Sequence, residues 1–203
     1  MAPRIDYYFA PQSPYTYLGH SRLVAVAKAA GATVQLLPMD LGGKIFPVSG
    51  GLPLGQRAPQ RLAYRLVELQ RFSEHLGLPL NLKPKFFPVA GDAVARLIIA
   101  VDQLDGADAA LQFTGAVLAA VWAQDRNIAD ADVQAALLAE CGLHADRLAD
   151  AQAPAVQIRY EANTQQAIDA GVFGAPSYVL NGEIFWGQDR VDFLARALEK
   201  TPG

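Results

Sequence analysis

Cysteine is nearly missing from this chain: Cys141 stands alone among 203 residues. No disulfide can close within the chain and no pair of thiols can cycle between redox states, so a reducing compartment is the expected setting. Histidine is scarce as well, and His20, His75 and His144 lack the spacing of metal ligands, so no metal site is expected. An excess of basic charge is also lacking. Lysine and arginine number 17 against 20 aspartates and glutamates, a formal net charge of -3. The cations are scattered along the chain and form no stripe that could follow a phosphate backbone, which argues against a nucleic-acid partner. No run reaches the ~18 uninterrupted apolar residues that suggest a membrane span. The opening "MAPRIDYYF" lacks the apolar stretch and small-residue cleavage site of a secretory signal. A soluble, cytoplasmic protein without membrane association is therefore expected.

What is plentiful is apolar side chain, at 52% of residues, enough to bury a substantial core in one domain or two small ones. "RIDYYF" (4–9) is short, aromatic and β-branched, and is stopped by Pro11, which predicts a strand. From Ser13 to about Ala30, Leu18, Leu23, Val24 and Ala27 recur at helical spacing and Gly31 supplies a C-cap. "ATVQLLPM" (32–39) predicts a second strand, and strand, helix and strand in sequence make a right-handed parallel crossover. "DLGGKIFPVSGGLPLGQ" (40–56) is broken by glycine and proline and reads as a long loop of the kind that carries function.

A helical block follows, alanine-dense and periodic, in the segments 58–77, 89–106, 107–124, 130–142 and 154–171, with "LPLNLKPKFFP" between the first two. Trp122 is expected in its core, and Cys141, in "LLAECG", as an inert thiol. The ending returns to strands: "APSYVL" and "EIFWG" flank an "NG" hairpin signal, and "QDRVDFLARALEK" reads as a final helix. This order predicts an α/β architecture, a thioredoxin-like fold over 1–40 and 168–203 with an all-helical domain inserted over 41–167.

Three stretches could carry chemistry, and each has a plain structural account beside a functional one. Ser13 in "QSPY" fits an N-cap followed by proline at the first helical position. The same helix N-terminus would stabilise an anion such as a thiolate, to which the serine hydroxyl could donate. Pro176, in "FGAPSY", fits the first residue of a strand. A cis-proline there would instead leave the N–H and C=O of Ala175 free for an extended peptide-like ligand. "FWGQDR" fits a helix start, with Asp189 in the first turn and Gln188 and Arg190 on the surface. Its amides and the Asp189 carboxylate would also suit the head group of an α-amino acid.

Taken together, "SPYTYL" (13–18), "DLGGKIF" (40–46), "FGAPSY" (173–178) and "FWGQDR" (185–190) resemble the 2-hydroxychromene-2-carboxylate isomerases. These sit with kappa-class glutathione transferases in the DsbA-like branch of the thioredoxin superfamily, and the resemblance spans essentially the whole chain. It implies that Ser13 and Thr16 occupy the two cysteine positions of disulfide oxidoreductases, which removes a redox cycle. It further implies glutathione as an unconsumed cofactor, held by Ser13, by Ala175 beside a cis-Pro176, and by Trp186, Gly187, Gln188 and Asp189. The implied reaction interconverts 2-hydroxychromene-2-carboxylate and trans-o-hydroxybenzylidenepyruvate in naphthalene breakdown, with Ser13 as the catalytic residue. Reversible thiolate addition would allow rotation about a conjugated double bond. For the aromatic carboxylate the resemblance points to Lys44, to Gln56 or Arg57, and to Phe87 beside the ring, and it implies a homodimer. A kappa-like transferase or peroxidase is the alternative, and a non-catalytic module on the same scaffold a third.

Overall fold

A computed structural model describes residues 2–200; Met1 and 201–203, the outer ends of the two expected thioredoxin-like segments, lie outside the described residues. The first strand, β1 (Arg4–Phe9), leads through α1 (Pro14–Ala29) to β2 (Thr33–Pro38), which lies parallel to β1. Helix α1 ends where Gly31 turns to φ +60°, its N–H reaching the Lys28 carbonyl while the Ala32 N–H reaches that of Ala27. This is the αL arrangement that makes glycine favourable there.

The hairpin of β3 (Ser177–Leu180) and β4 (Glu183–Trp186) closes a sheet of order β2-β1-β3-β4, with β3 antiparallel to both neighbours. Asn181 and Gly182 form its turn with φ of 51° and 83°, the double positive φ for which Asn-Gly is favoured. A short 3-10 turn, Gln188–Arg190, then leads into α9 (Val191–Glu199).

Between β2 and β3 the chain is mostly helical: α2 (Phe46–Ser49), α3 (Pro59–Leu76), α4 (Asp92–Asp105), α5 (Ala107–Trp122), α6 (Ala131–Glu140), α7 (Arg147–Asp150) and α8 (Pro154–Asp169). The expected loop at 40–56 contains a π-helical turn (Leu41–Ile45), α2 and a 3-10 turn (Leu54–Gln56). Local capping explains the first of these. Asp40 accepts from the Gly43 N–H through Oδ1 (2.7 Å), and its carbonyl accepts from Lys44 and Ile45. Helix α7 is a single turn that apolar periodicity is too short to signal.

Alternation along β1 divides the packing. Ile5, Tyr7 and Phe9 face a core shared with α1, α4, α5 and α9, and this cluster continues to Phe113 and Trp122. Tyr8 points to the other face, where Leu37, Met39, Ile45, Ala167 and Val179 pack. One core therefore joins the sheet to the helical segment. No helix among the described residues is long and apolar enough to cross a membrane.

Candidate active site

Where β1 ends, the chain bends sharply, and the Ser13 N–H bonds the Ala10 carbonyl (3.0 Å). Ser13 is the N-cap of α1: it is extended (φ -78°, ψ 128°), and its Oγ accepts from the Thr16 N–H at 3.2 Å. Pro14 follows at the first helical position, where a missing N–H is harmless. Accepting from Thr16 leaves the hydroxyl hydrogen of Ser13 able to donate elsewhere. Ser13 opens onto a cleft of about 1110 Å³, walled by α1, the 41–57 segment, α3, the stretch Phe87–Val89 and the residues flanking β3 and β4.

Of the residues singled out in the sequence, Ser13, Arg57, Phe87, Ala175, Trp186, Gly187, Gln188 and Asp189 line this cleft together. Pro176 is buried behind them, and the Ala175–Pro176 peptide bond is cis. The Pro176 carbonyl accepts from the Gly187 N–H (2.9 Å), which ties this bend to the turn after β4. Among the described residues, the main-chain N–H and C=O of Ala175 make no hydrogen bond. Gly174 packs so tightly on Trp186 that a Cβ there would lie 2.3 Å from the indole Nε1.

Lys44 and Gln56 are exposed and do not line the cleft. The π-helical turn buries Ile45 behind the sheet and thereby turns its neighbour Lys44 to solvent. Arg57 does line the cleft, but its Nε donates to the Leu52 carbonyl (2.9 Å) and its guanidinium lies 6.0 Å from the Phe46 ring centroid. Gln188, a surface residue on the plain structural account, is instead buried at 1% exposure. It is held there because Arg22 of α1 donates to its carbonyl (3.0 Å) and pairs with Asp192 (2.6 Å).

Several contributors gave no clear signal in the sequence. The Tyr15 hydroxyl donates to Glu68 in a short bond that pins α1 to α3, and burial followed by the Glu68 bond pushes the phenol pKa well up. Arg61, Tyr64 and Arg65 of α3 also face the cleft. The four-residue spacing of Arg61 and Arg65 within α3 was the available sign that they share one side. Beneath the site, His20 lies between the Tyr7 hydroxyl (3.2 Å to Nδ1) and the Leu111 carbonyl (2.9 Å to Nε2). A carbonyl only accepts, so Nε2 carries the proton and neutral Nδ1 accepts from Tyr7. Burial lowers the pKa of this imidazole to about 4.

Residues 4–199 match the DsbA-like thioredoxin domain. The chain belongs to the DsbA-like thioredoxin family. Within it, the chain is similar to the 2-hydroxychromene-2-carboxylate isomerase of Pseudomonas putida, at 32% identity over 96% of this chain and 93% of the relative. A solved 2-hydroxychromene-2-carboxylate isomerase superposes with a TM-score of 0.78 at 27% identity, covering 97% of this chain and 95% of its own. A kappa 1 glutathione S-transferase of Caenorhabditis elegans is 24% identical over 98% of this chain and 92% of its own. The N-terminus of α1 reads Ser13-Pro14-Tyr15-Thr16, so its first turn carries hydroxyls and no thiol.

Proposed function

We propose that the protein is a glutathione-dependent isomerase that interconverts 2-hydroxychromene-2-carboxylate and trans-o-hydroxybenzylidenepyruvate. The observation that carries this reading is the convergence, in one cleft, of Ser13 at a helix N-terminus with the unpaired main-chain groups of Ala175. Similarity to the P. putida isomerase over nearly the whole chain supports the reaction class.

The donor set suits glutathione. The cleft has no sulfur of its own, since Cys141 lies at the end of α6 and does not line it. Two glutamines of the wall also keep polar atoms buried without partners, Gln12 Oε1 and Gln188 Nε2. Bound glutathione would supply a thiolate able to add reversibly to a conjugated double bond and so permit rotation about it. Ser13 donates from its free hydroxyl hydrogen, and the positive end of α1 favours negative charge beside it. Ala175 offers its N–H and C=O to a peptide backbone in the manner of strand addition. At the 3-10 turn, Gln188 and Asp189 present main-chain N–H groups to a carboxylate, and the Asp189 side chain takes an ammonium. Phe87 supplies an aromatic wall for the substrate.

A second reading, conjugation or peroxide reduction by the same thiolate, draws on the kappa-class relative. Assaying the chromene carboxylate with and without glutathione while titrating free thiol separates the two. Isomerisation that needs glutathione and consumes none is the expected result. Stoichiometric thiol loss would favour the transferase, and a protein whose melting is unmoved by glutathione would be a binding module, overturning both.

A further inference from the structure

The arginines of the α3 wall are not equivalent. Arg57 is engaged with the Leu52 carbonyl, and Arg61 is exposed to solvent. Arg65 is drawn inward, its guanidinium carbon 5.4 Å from the Phe87 ring centroid and 5.7 Å from that of Trp122. Its Nη2 is buried with no hydrogen-bond partner. Among the described residues no ion pair reaches it: the carboxylate of Glu68 lies near enough to act on it through its charge but forms no ion pair with it, its Oε2 accepting from the Tyr15 hydroxyl. An arginine stays charged at any ordinary pH, and a buried charged donor without an acceptor is costly to maintain. A residue of that kind on a ligand cleft is poised for an anion that arrives with the ligand. The rings around it select for a planar, apolar body attached to that anion.

Resting on the isomerase reading above, we propose that Arg65 receives the carboxylate of the aromatic substrate, with Phe87 flanking the ring. The fork of the guanidinium matches a carboxylate in bidentate fashion, which Lys44, turned to solvent, cannot do.

The test is calorimetric binding of two non-reacting probes, trans-cinnamate and the uncharged cinnamamide, to the full chain and its variants. The wild type should bind cinnamate at least tenfold more tightly than cinnamamide. Arg65→Met should erase that preference by weakening cinnamate alone, and Arg65→Lys should fall between, keeping the charge without the fork. Ligand-free melting of Arg65→Met should not fall below wild type, because an unpaired buried charge is being replaced by an apolar side chain of similar length. If Arg65→Met does not fold, the Arg65→Lys values decide. Glutathione affinity, measured in parallel, should be unchanged in Arg65→Met. An equal loss for glutathione would assign Arg65 to the cofactor's carboxylate and overturn the proposal, as would a wild type that does not distinguish the two probes. Wild-type turnover of the chromene carboxylate is followed separately. Turnover without an Arg65-dependent cinnamate preference sinks this inference alone, and the preference without turnover sinks the isomerase reading alone.

Discussion

Replacing Ser13 by alanine removes two interactions that pass through one oxygen, and they report in different assays. As N-cap, Oγ accepts from the Thr16 N–H at 3.2 Å, and losing such a cap costs about 1 kcal/mol. For a chain of this size that lowers the melting temperature by about 3 °C. As a donor, the hydroxyl would stabilise a thiolate through a charge-assisted hydrogen bond worth about 1.5–3 kcal/mol. At 1.36 kcal/mol per unit, its loss raises the thiol pKa by about 1–2 units. The thiolate fraction at neutral pH then falls about tenfold to a hundredfold. The assay is the initial rate of glutathione-dependent isomerisation across pH 6 to 10 at saturating glutathione. Ser13→Ala should be slowest relative to wild type at neutral pH and recover as pH rises through the shifted thiol pKa. Ser13→Asp separates the two roles, because an aspartate still caps α1 but repels a neighbouring anion. It should melt like wild type and stay slow over the whole range. A deficit in Ser13→Ala that is constant with pH would refute the pKa argument and leave positioning or direct attack as the role of the serine.

Other expectations follow from the surrounding packing. His20 is neutral when folded, with a pKa of about 4, and titrates near 6.5 when unfolded. The unfolded chain therefore takes up a proton first as pH falls. The His20 contribution to stability should decline by about 3 kcal/mol between pH 6.5 and pH 4 and level off below that. Urea titrations of wild type and His20→Gln would check this, and equal slopes in the two would argue against it. A Cβ at Gly19 would lie 2.5 Å from the Tyr178 hydroxyl and 3.1 Å from Gln188 Cβ, so Gly19→Ala should destabilise by about 1–3 kcal/mol. An unchanged melting temperature would contradict that packing. Arg22→Ala frees the Gln188 carbonyl and the partly exposed Asp192 pair. It should weaken glutathione binding about fivefold while costing no more than about 1 kcal/mol of stability. Equal glutathione affinity in calorimetry would show that the turn holds without it.

The fold was legible because its signals are local. The strand 4–9, the helix capped by Ser13 and closed at Gly31, and the Asn-Gly hairpin each rest on chemistry within a few residues, and each stands where the sequence puts it. The helical turns within 41–56 were hidden because glycine and proline break apolar periodicity without forbidding a capped turn. Lys44 stands outside the cleft for a related reason. A residue's side is set by its neighbours' burial, and Ile45 claims the inward direction.

The remainder of the site was illegible because it depends on pairs far apart in sequence. Nothing near residue 188 foretells that Arg22 will hold it, or that Gly19 must lack a side chain for Gln188 to approach. Those contacts make α1 the common support of both walls. Its first turn presents Ser13, its second carries the gap at Gly19, and its third sends Arg22 across to the Gln188 turn. The Tyr15–Glu68 bond fastens the same helix end to α3, where Arg65 lies over Phe87. A shift of α1 would therefore move the serine, the Gln188 turn and the aromatic wall together. For the proposed reaction, in which a sulfur must be aligned with one particular double bond, such a shared support is an advantage, because the geometry that matters is the relation among the walls.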